Sequence, residues 1–409
     1  MAKVVVLGGC GAVGRHAVRT LAAHEAFDRV VVGDLDAAAA EKLAAESGAG
    51  VEAVRVDVGD ETAVRAAIRG ARVVLNCTGP FYRFGVPVLR AAIAERVDYV
   101  DVCDDVDATL AQLGLDGEAR AAGVSALIGM GNSPGVTNLL AKFAAEQLLD
   151  EVDAVDIYHA HGGEPIEGAG VIAHRFHCMT MEIPMFLGGE LRHVRFFEAD
   201  GMALRTTVDL PRVGQAVPVY PYPHPEQITL PRHVKLRRVT NRGTVLPDEY
   251  YRLTTEMARL GLHSPEPLEV GGSRVVPHDF AVAWLQRERE RILRETSFGS
   301  QRGCMKVVAA GTRHGKPRRY EFSMSSSDQA LGEGTGIPAA MGAILMGQGR
   351  IERKGVFPPE AGVAPLDFLG LVQPILALAG RGKSFDGIAI DKIDENGTVE
   401  RIAMAGLGG

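Results

Sequence analysis

A glycine-rich turn near the start of the chain has the residue types and spacing of a dinucleotide-binding loop. Positions 9, 11 and 14 are glycines in the pattern GxGxxG, between a short apolar run and an amphipathic stretch. Such glycines permit a tight turn and a close approach of the backbone to a pyrophosphate, and the amides that open the following helix attract negative charge. We predict dinucleotide binding here, with a simple strand-to-helix turn as the alternative. The expected contact residues are Gly9, Gly11, Ala12, Val13 and Gly14.

Two acidic residues follow the second apolar run, where a bound ribose would lie. Asp34 comes 20 residues after Gly14, a spacing at which a carboxylate accepts hydrogen bonds from the adenosine ribose. Residues 30–41 contain Asp36 but no Arg or Lys that would pair with a 2′-phosphate. The sequence therefore favours NAD, with NADP possible, and Asp36 also suits a helix cap. Further cofactor contacts are expected at the ends of the second, third and fourth runs, unless the last of these is an ordinary turn: Leu35, Asp57, Val58, Thr78, Gly79, Pro80 and Phe81.

Charged residues after the fourth and fifth apolar runs are the first candidates for substrate contacts. Arg83 follows the expected nicotinamide turn and is suited to pair with a substrate carboxylate, or else to form a surface ion pair. Asp101, Asp104 and Asp105 lie at the end of the fifth run, where a carboxylate can bind an amino group or act as general base. Helix capping by Asp104 or Asp105 is the alternative. We predict Asp104 as catalytic and Tyr82, Arg83 and Asp105 as substrate-binding residues.

A group of histidines lies further along the chain. His159 and His161 alternate on a predicted strand, whereas His174 and His177 share one face if their segment is helical. The sequence contains neither HExxH nor paired CxxC, so no metal site is predicted. His174 and His177 are instead candidates for the acid or base, since a neutral imidazole can accept a proton near pH 7. Core or surface positions are the alternative for each histidine. Arg175 joins them as a predicted substrate-binding residue.

The order of apolar and helical stretches predicts the elements that position these residues. In residues 1–135 six short apolar runs alternate with helical stretches, which is typical of a doubly wound parallel sheet covered on both faces. Residues 151–330 lose this rhythm and indicate a mixed sheet, with strand-like segments within 191–210 and 226–240, a helix over 278–295 and a hairpin around 313–316. The predicted strands of the first part are Lys3–Leu7, Arg29–Gly33, Val51–Val56, Arg72–Cys77, Tyr99–Cys103 and Ser125–Ile128, and the predicted helices are Val13–Phe27, Ala37–Ser47, Glu61–Arg69, Val86–Glu95 and Thr109–Ala122.

Composition and charge exclude several classes of protein. The 409 residues carry 44 Lys and Arg against 51 Asp and Glu, and a net charge of −7 without a run of one sign does not fit a nucleic-acid-binding surface. Five isolated cysteines indicate reduced thiols rather than a disulfide framework, which favours the cytoplasm. An uncharged stretch at 334–349 is interrupted by Pro338 and is too short to span a membrane, and we expect no signal peptide.

Three segments, together with the glycine loop, resemble the saccharopine dehydrogenase-like (saccharopine reductase-like) family. They are residues 79–105, 123–145 and 335–360. Pro134-Gly135 is similar to the turn by which the family's chain leaves its first sheet, and Thr335-Gly336-Ile337-Pro338 to the start of a returning helix. The resemblance implies an α/β protein with a Rossmann domain over 1–135, an α+β substrate and dimerisation domain over 136–330, and a C-terminal segment over 331–409 that packs back on the Rossmann domain.

The resemblance also implies an NAD(P)-dependent dehydrogenase or reductase acting on CH–NH or CH–NH2 groups. The family includes L-lysine 6-dehydrogenases and carboxynorspermidine-forming enzymes, so an amino acid or related amine is the expected substrate and a homodimer the expected assembly. A reductase of C=C or C=O bonds, similar to trans-acting enoyl reductases, is an alternative that would need an apolar, open pocket. A cofactor-binding protein without turnover is another, although it would not need Arg83, Asp104 or the histidines.

Overall fold

The N-terminal part of the chain forms alternating strands and helices. The computed structural model describes residues 2–164, 167–299, 301–327, 330–378 and 387–403. β-Branched runs form the strands and alanine-rich stretches form helices, as their intrinsic preferences predict. In order, the elements are β1 (Lys3–Leu7), α1 (Gly14–Ala22), β2 (Arg29–Asp34), α2 (Ala37–Ser47), β3 (Val51–Arg55), α3 (Glu61–Ile68), β4 (Val73–Asn76), α4 (Phe81–Glu95), β5 (Asp98–Asp101), α5 (Val106–Leu113), α6 (Asp116–Ala122) and β6 (Ser125–Leu127).

The remainder of the chain is dominated by longer, mostly antiparallel strands. Its elements are α7 (Val136–Phe143) with a π-helical turn (Ala144–Leu148), β7 (Glu151–Gly162), α8 (Ala169–Thr180), β8 (Glu182–Leu187), β9 (Glu190–Arg195), α9 (Ala199–Ala203), β10 (Thr206–Leu210), β11 (Gly214–Pro221), α10 (Glu226–His233), β12 (Arg238–Leu246), α11 (Asp248–Arg259), β13 (Leu268–Val270), β14 (Ser273–Val275), α12 (Pro277–Glu295), β15 (Arg302–Arg313), β16 (Lys316–Ser326), α13 (Ala330–Gly347), β17 (Gly355–Phe357), α14 (Pro359–Gly362), α15 (Pro365–Leu378), β18 (Ala389–Ile393) and β19 (Val399–Ile402).

The first sheet is parallel, with seven strands in the order β17-β6-β5-β4-β1-β2-β3. The order reverses between β1 and β4, and ligands of such sheets bind beyond the carboxyl ends of the strands at this switch point. The predicted doubly wound Rossmann sheet is confirmed. The late strand β17 pairs with β6, so the C-terminal part of the chain completes the first sheet.

The second sheet is mixed, and β7 runs through its centre. β7 pairs in parallel with β12 and antiparallel with β15, while β18 and β19 extend the far edge. β15 and β16 form the predicted hairpin, whose turn residues His314 and Gly315 both have positive φ, as tight hairpin turns require. In the described ranges, helices of the length and apolar character of a membrane span are absent.

Helix α13 joins the two sheets into one core. Its apolar residues pack in the same buried cluster as β1 and β4 on one side and β15 and β16 on the other. It also lies against the start of α1 with no room for side chains. A Cβ at Gly332 would stand 2.6 Å from the carbonyl oxygen of Ala12, and a Cβ at Gly336 would stand 2.4 Å from that of Val13. The glycines of α13 therefore set the position of the predicted dinucleotide loop.

Several predicted elements differ from the structure, and one of them is the helix expected over Val13–Phe27, which ends at Ala22. The helix expected over Val86–Glu95 begins at Phe81, directly after Pro80. The helix expected over 109–122 is two helices, separated at Gly114-Leu115. The prediction of strand over 226–240 is wrong for 226–233, which form α10, because Glu226 in the first turn and the basic last turn complement the helix dipole. The 335–338 motif lies inside α13 rather than at its start, since α13 accommodates Pro338 internally.

Replacing Gly336 by Ala tests the packing of α13 on the loop. The new Cβ must displace the backbone at Val13, so we expect the free energy of unfolding to fall by about 1–3 kcal/mol. We also expect weaker NADH binding, measured by calorimetry beside a chemical denaturation curve. Gly370→Ala is the control, because a Cβ at this exposed position of α15 meets nothing within 4 Å. Equal stability and equal NADH affinity for the Gly336 variant would contradict the packing argument.

Candidate active site

The glycine loop offers main-chain amides in a tightly packed turn. A Cβ at Gly14 would stand 2.1 Å from the carbonyl oxygen of Gly8, and one at Gly9 would stand 2.7 Å from Cγ1 of Val32, so side chains cannot occupy these positions. Gly11 and Ala12 are exposed. Among the described residues, no acceptor is found for the amides of Ala12, Val13 and Gly14. Unpaired amides at a helix N-terminus bind phosphate oxygens, so the loop fits a dinucleotide pyrophosphate.

The predicted ribose-binding residues lie beside this loop. One oxygen of Asp34 accepts a hydrogen bond from the Cys10 amide at 2.9 Å, and the other accepts from the Asp36 amide at 3.2 Å. Asp36 caps α2 through the Ala39 amide, so the capping interpretation of Asp36 is confirmed. Arg15 folds back on the loop and donates to the carbonyl oxygen of Cys10 at 2.8 Å. The sequence interpretation missed this basic residue because Arg15 lies in α1, outside the segment 30–41 in which a partner for a 2′-phosphate was sought.

The other predicted cofactor residues lie at strand ends. Leu35 is 56% exposed next to the ribose position, and Asp57 makes a local turn with the Gly59 amide while Val58 is partly buried. After β4, the Thr78 amide donates to the buried side chain of Asn76, and the chain turns through Gly79 and Pro80 into α4 at the buried Phe81. Thr78, Gly79, Pro80 and Phe81 thus follow the switch-point strand, where the nicotinamide half of a dinucleotide is expected.

A cavity of about 240 Å³ lies between the first sheet, the second sheet and α13. The first sheet contributes residues that follow β5 and β6, and the second sheet contributes polar residues of β7. Helix α8 adds His174 and Arg175, and α13 and α15 contribute an apolar wall. The predicted residues Asp104, His174 and Arg175 all line it. Other lining residues used below are Asn132, Ser133, His159, His161, Tyr222 and His224.

His174 is held between two carboxylates at the edge of this cavity. Its Nδ1 lies 2.8 Å from Oδ1 of Asp105, and its Nε2 lies 3.4 Å from Oδ2 of Asp104 and 3.3 Å from Sγ of Cys178. Burial disfavours the imidazolium, but the neighbouring acids still raise the pKa of His174 well above its ordinary value. The proton-accepting role of His174 stays a prediction, and the Nε2 atom of its ring lies beside the carboxylate of Asp104.

The helix-capping alternative does not describe the acidic residues after β5. Asp105 occupies the N-cap position of α5 but makes no side-chain cap; its carboxylate faces His174 and accepts the Tyr82 amide at 3.0 Å. Burial would raise the pKa of Asp105, yet the hydrogen bond from His174 lowers it overall. Asp105 therefore joins α4, α5 and α8 at the edge of the cavity.

His177, Tyr82 and Arg83 lie outside the cavity lining. Nε2 of His177 is 3.3 Å from Oδ2 of Asp107, and its ring stacks on Tyr82 at a centroid distance of 4.7 Å. Arg83 is exposed and rests over the ring of Phe84 at 4.9 Å. Tyr82 and His177 thus join α4 to α8, whereas Arg83 does not line the cavity, and its contact with a substrate carboxylate stays a prediction.

Arg175 is the centre of a buried ion-pair network. It is 2% exposed, donates through Nη2 to Glu167, and lies over the ring of Tyr250. The same carboxylate accepts the Tyr250 hydroxyl at 2.6 Å and lies 3.2 Å from Nε of Arg289. Nη1 of Arg175 is buried and has no hydrogen-bond partner within the part of the chain that is described. A buried guanidinium nitrogen without an acceptor is costly, so this nitrogen is suited to a ligand carboxylate.

Two acid–histidine clusters resemble metal sites in composition. Asp104, Asp105 and His174 form one, and Asp105, Asp107 and His177 form the other, with ligand atoms within 4.8 Å of one another. The contacts in both are imidazole–carboxylate ion pairs, and each has fewer than the four ligands of a closed zinc site. The absence of a bound metal stays a prediction. All five cysteines are free thiols, as expected.

Comparison with known proteins agrees with this architecture. Residues 4–127 match the family model of the saccharopine dehydrogenase NADP binding domain. The chain is 24% identical over 399 residues to a carboxyaminopropylagmatine dehydrogenase of Synechocystis sp., covering 91% of this chain and 96% of that protein. It is 26% identical over 321 residues to a carboxynorspermidine synthase of Vibrio cholerae, covering 70% and 72%.

A solved structure shows the same fold over the full length. Apo saccharopine dehydrogenase (L-Glu forming) from Saccharomyces cerevisiae superposes with a TM-score of 0.67 at 16% identity, covering 98% of this chain and 100% of that one. The predicted saccharopine dehydrogenase-like resemblance, the fold class and the class of nicotinamide-dependent oxidoreductase are confirmed. The predicted reaction at a carbon–nitrogen bond of an amine agrees with the relatives.

Proposed function

We propose that this saccharopine dehydrogenase-like protein moves a hydride between a nicotinamide cofactor and the carbon of a C–N bond in a carboxylated amine. One observation carries the proposal. Arg175, whose buried Nη1 has no partner among the described residues, and Asp104 both line one cavity next to the carboxyl ends of β5 and β6. The relatives' names, carboxyaminopropylagmatine dehydrogenase and carboxynorspermidine synthase, point to the same substrate class.

The charges of the cavity match the two ends of such a substrate. Arg175 is fixed by Glu167, so its free Nη1 is presented to a carboxylate without first losing rotamer freedom. Asp104 is 36% exposed at the cavity and is held by His174, so it is suited to bind the substrate nitrogen in its cationic form. These two contacts would orient the carbon between them toward the nicotinamide side of the cleft.

The bound nicotinamide supplies or accepts the hydride, and the chain's own residues do the rest. The free amides at Ala12, Val13 and Gly14 would hold the pyrophosphate, and the turn at Thr78-Gly79 would border the nicotinamide. Helices α13 and α15 close the apolar wall and exclude water from the reacting carbon. A reductase of C=C or C=O bonds would have no use for Nη1 of Arg175 and the carboxylate of Asp104, since its substrate need carry neither a carboxylate nor a cationic nitrogen.

NAD(H) is the cofactor that the ribose position favours. A 2′-phosphate at the expected ribose position would add negative charge beside the carboxylates of Asp34 and Asp36, although Arg15 contacts the same loop at Cys10. We also retain as proposals a cytoplasmic homodimer in amino-acid metabolism, lysine as one candidate substrate, and the domain boundaries at 135 and 330.

Substitution of Arg175 tests the substrate class. Arg175→Lys keeps a cation for Glu167 but loses the free Nη1, so we expect KM for a carboxylated amine to rise by about 10- to 100-fold. NADH formation at saturating cofactor would be followed with L-lysine, saccharopine, carboxynorspermidine and norspermidine; the last two differ in the carboxylate. Arg83→Lys is the matched control, because Arg83 is exposed and outside the cavity. Preference for norspermidine, or the larger loss in the Arg83 variant, would refute the assignment.

Substitution of Asp34 tests the cofactor. Asp34→Asn can still accept the Cys10 amide but removes the negative charge, so we expect the preference for NAD over NADP in kcat/KM to fall by about tenfold. Glu41→Gln, an equal change of charge on the exposed face of α2, should leave the preference unchanged. If the wild-type protein prefers NADP and Arg15→Ala abolishes that preference, Arg15 binds the phosphate and our assignment of Asp34 is wrong.

A further inference from the structure

A histidine that the sequence interpretation did not select is fixed on the cavity wall by a buried carboxylate. Nδ1 of His224 lies 3.3 Å from Oε2 of Glu226 and 3.2 Å from Oγ of Ser133. Glu226 is completely buried, and its other oxygen accepts hydrogen bonds from Ser133 at 2.6 Å and from Thr137 at 2.7 Å. The His224 amide donates to Gln227 at 2.8 Å. Both the ring and the backbone of His224 are therefore held in place.

The second ring nitrogen of His224, Nε2, is left available to a substrate. The charge of Glu226 favours a proton on Nδ1, which leaves the lone pair of the neutral ring on Nε2. Across the described ranges, Nε2 of His224 takes part in no hydrogen bond or ion pair, and His224 lines the cavity. A general acid or base has this arrangement, in which a carboxylate lies beside one imidazole nitrogen and the other nitrogen is open to the substrate.

The other histidines of the cavity are less suited to this role. Both nitrogens of His174 face acceptors. Burial, together with the charges of His224 and His161, lowers the pKa of His159 to about 3, so His159 stays neutral where its ring stacks on His224 at 5.4 Å. His161 forms a comparable pair with Glu164 at 2.7 Å, but it lies on β7 in the second sheet.

The position of His224 relative to the first sheet distinguishes it from His161. His224 contacts Ser133, which follows β6, and lines the same cavity as Asp104, which follows β5. The nicotinamide is expected beyond the end of β4, which is the neighbour of β5 in the sheet. Asp104, His159, Tyr222 and Glu226 are the ionisable groups that face His224 from the elements around it.

We infer that His224, positioned by Glu226, exchanges the proton of the reacting substrate nitrogen; the inference rests on the proposed function. In oxidation, Nε2 takes a proton from the substrate ammonium, which becomes a neutral amine. The C–H bond then breaks, its electron pair leaves with the hydride to oxidised NAD(P), and the nitrogen lone pair forms the C=N bond of an iminium ion. Reduction reverses each step, and the His224 imidazolium returns the proton. Glu226 is a positioning residue.

Kinetics of three variants test this role. His224→Asn can still donate to Glu226, so we expect a loss of kcat/KM of about 100- to 10,000-fold with the fastest carboxylated amine of the panel, with NADH affinity and melting temperature unchanged. His161→Asn, the matched control, should lose less than about tenfold. His224→Ala should recover activity with added imidazole, more strongly at a pH where imidazole is neutral, because a structural histidine would not be replaced in this way.

Two further measurements distinguish a failure of the role of His224 from a failure of the proposed function. Histidine ring 15N spectra of the wild-type protein should show the Nδ1–H tautomer for His224, whose signal is assigned by its loss in His224→Asn. Glu226→Gln should shift the tautomer signals of His224. It should also shift the acidic limb of the pH profile of kcat/KM. An Nε2–H tautomer, or full activity in His224→Asn, would overturn the inference while leaving the proposed function intact. If the wild-type protein oxidises no carboxylated amine of the panel, the proposed function fails and the proton-transfer step with it.

Discussion

A buried carboxylate at the end of β5 holds together the strand ends on which the site depends. Asp101 is completely buried and accepts four hydrogen bonds: from the amides of Cys103 and Gly129, at 3.0 and 2.7 Å, and from Tyr99 and Gln112, at 2.8 and 2.6 Å. These donors come from β5, α5 and the segment after β6. A buried charge needs this number of donors to offset its desolvation. Because it has them, the loops carrying Asp104 and Ser133 leave the sheet in fixed directions.

The cavity exists only because distant parts of the chain close over these loops. Helix α8 brings His174 and Arg175 from the second sheet, the segment before α10 brings His224, and α13 returns to cover both sheets. The glycines of α13 bring it into backbone contact with α1, so the same helix that lines the cavity also sets the dinucleotide loop. Helix α13 thereby fixes the cofactor loop relative to the cavity in which we expect the substrate. Hydride transfer requires such a fixed alignment of cofactor and substrate.

Local patterns predicted what depends on local structure. The glycine loop, the acid at the end of β2 and the alternating first sheet follow from strand and helix periodicity and from the geometry of a single turn. The pattern could not show that Arg83 would point to solvent while Arg175 would be buried, because that difference is set by Glu167 and Tyr250, which lie 8 and 75 positions away. From charge alone, Arg83 and Arg175 were equal candidates for substrate binding.

The same physical reason explains why the sequence interpretation missed other residues of the site. His224 lies in a proline-rich segment that resembles an ordinary loop, and only its contacts with Ser133 and Glu226, 91 and 2 residues away, give it a fixed ring. The spacing His-Pro-Glu was the one available signal, since it places a carboxylate near an imidazole. Similarly, the sequence could not show the surroundings of His174, because its two carboxylate partners come from another part of the chain.

A crystal structure with NADH and a carboxylated amine bound would test the central claim most directly. We expect the pyrophosphate at the amides of Ala12, Val13 and Gly14, and the nicotinamide ring beyond the ends of β4 and β5, in the cavity that Asp104, Arg175 and His224 line. The substrate carboxylate should contact Nη1 of Arg175. A nicotinamide ring outside this cavity, or an amine bound with its carboxylate away from Arg175, would contradict the account.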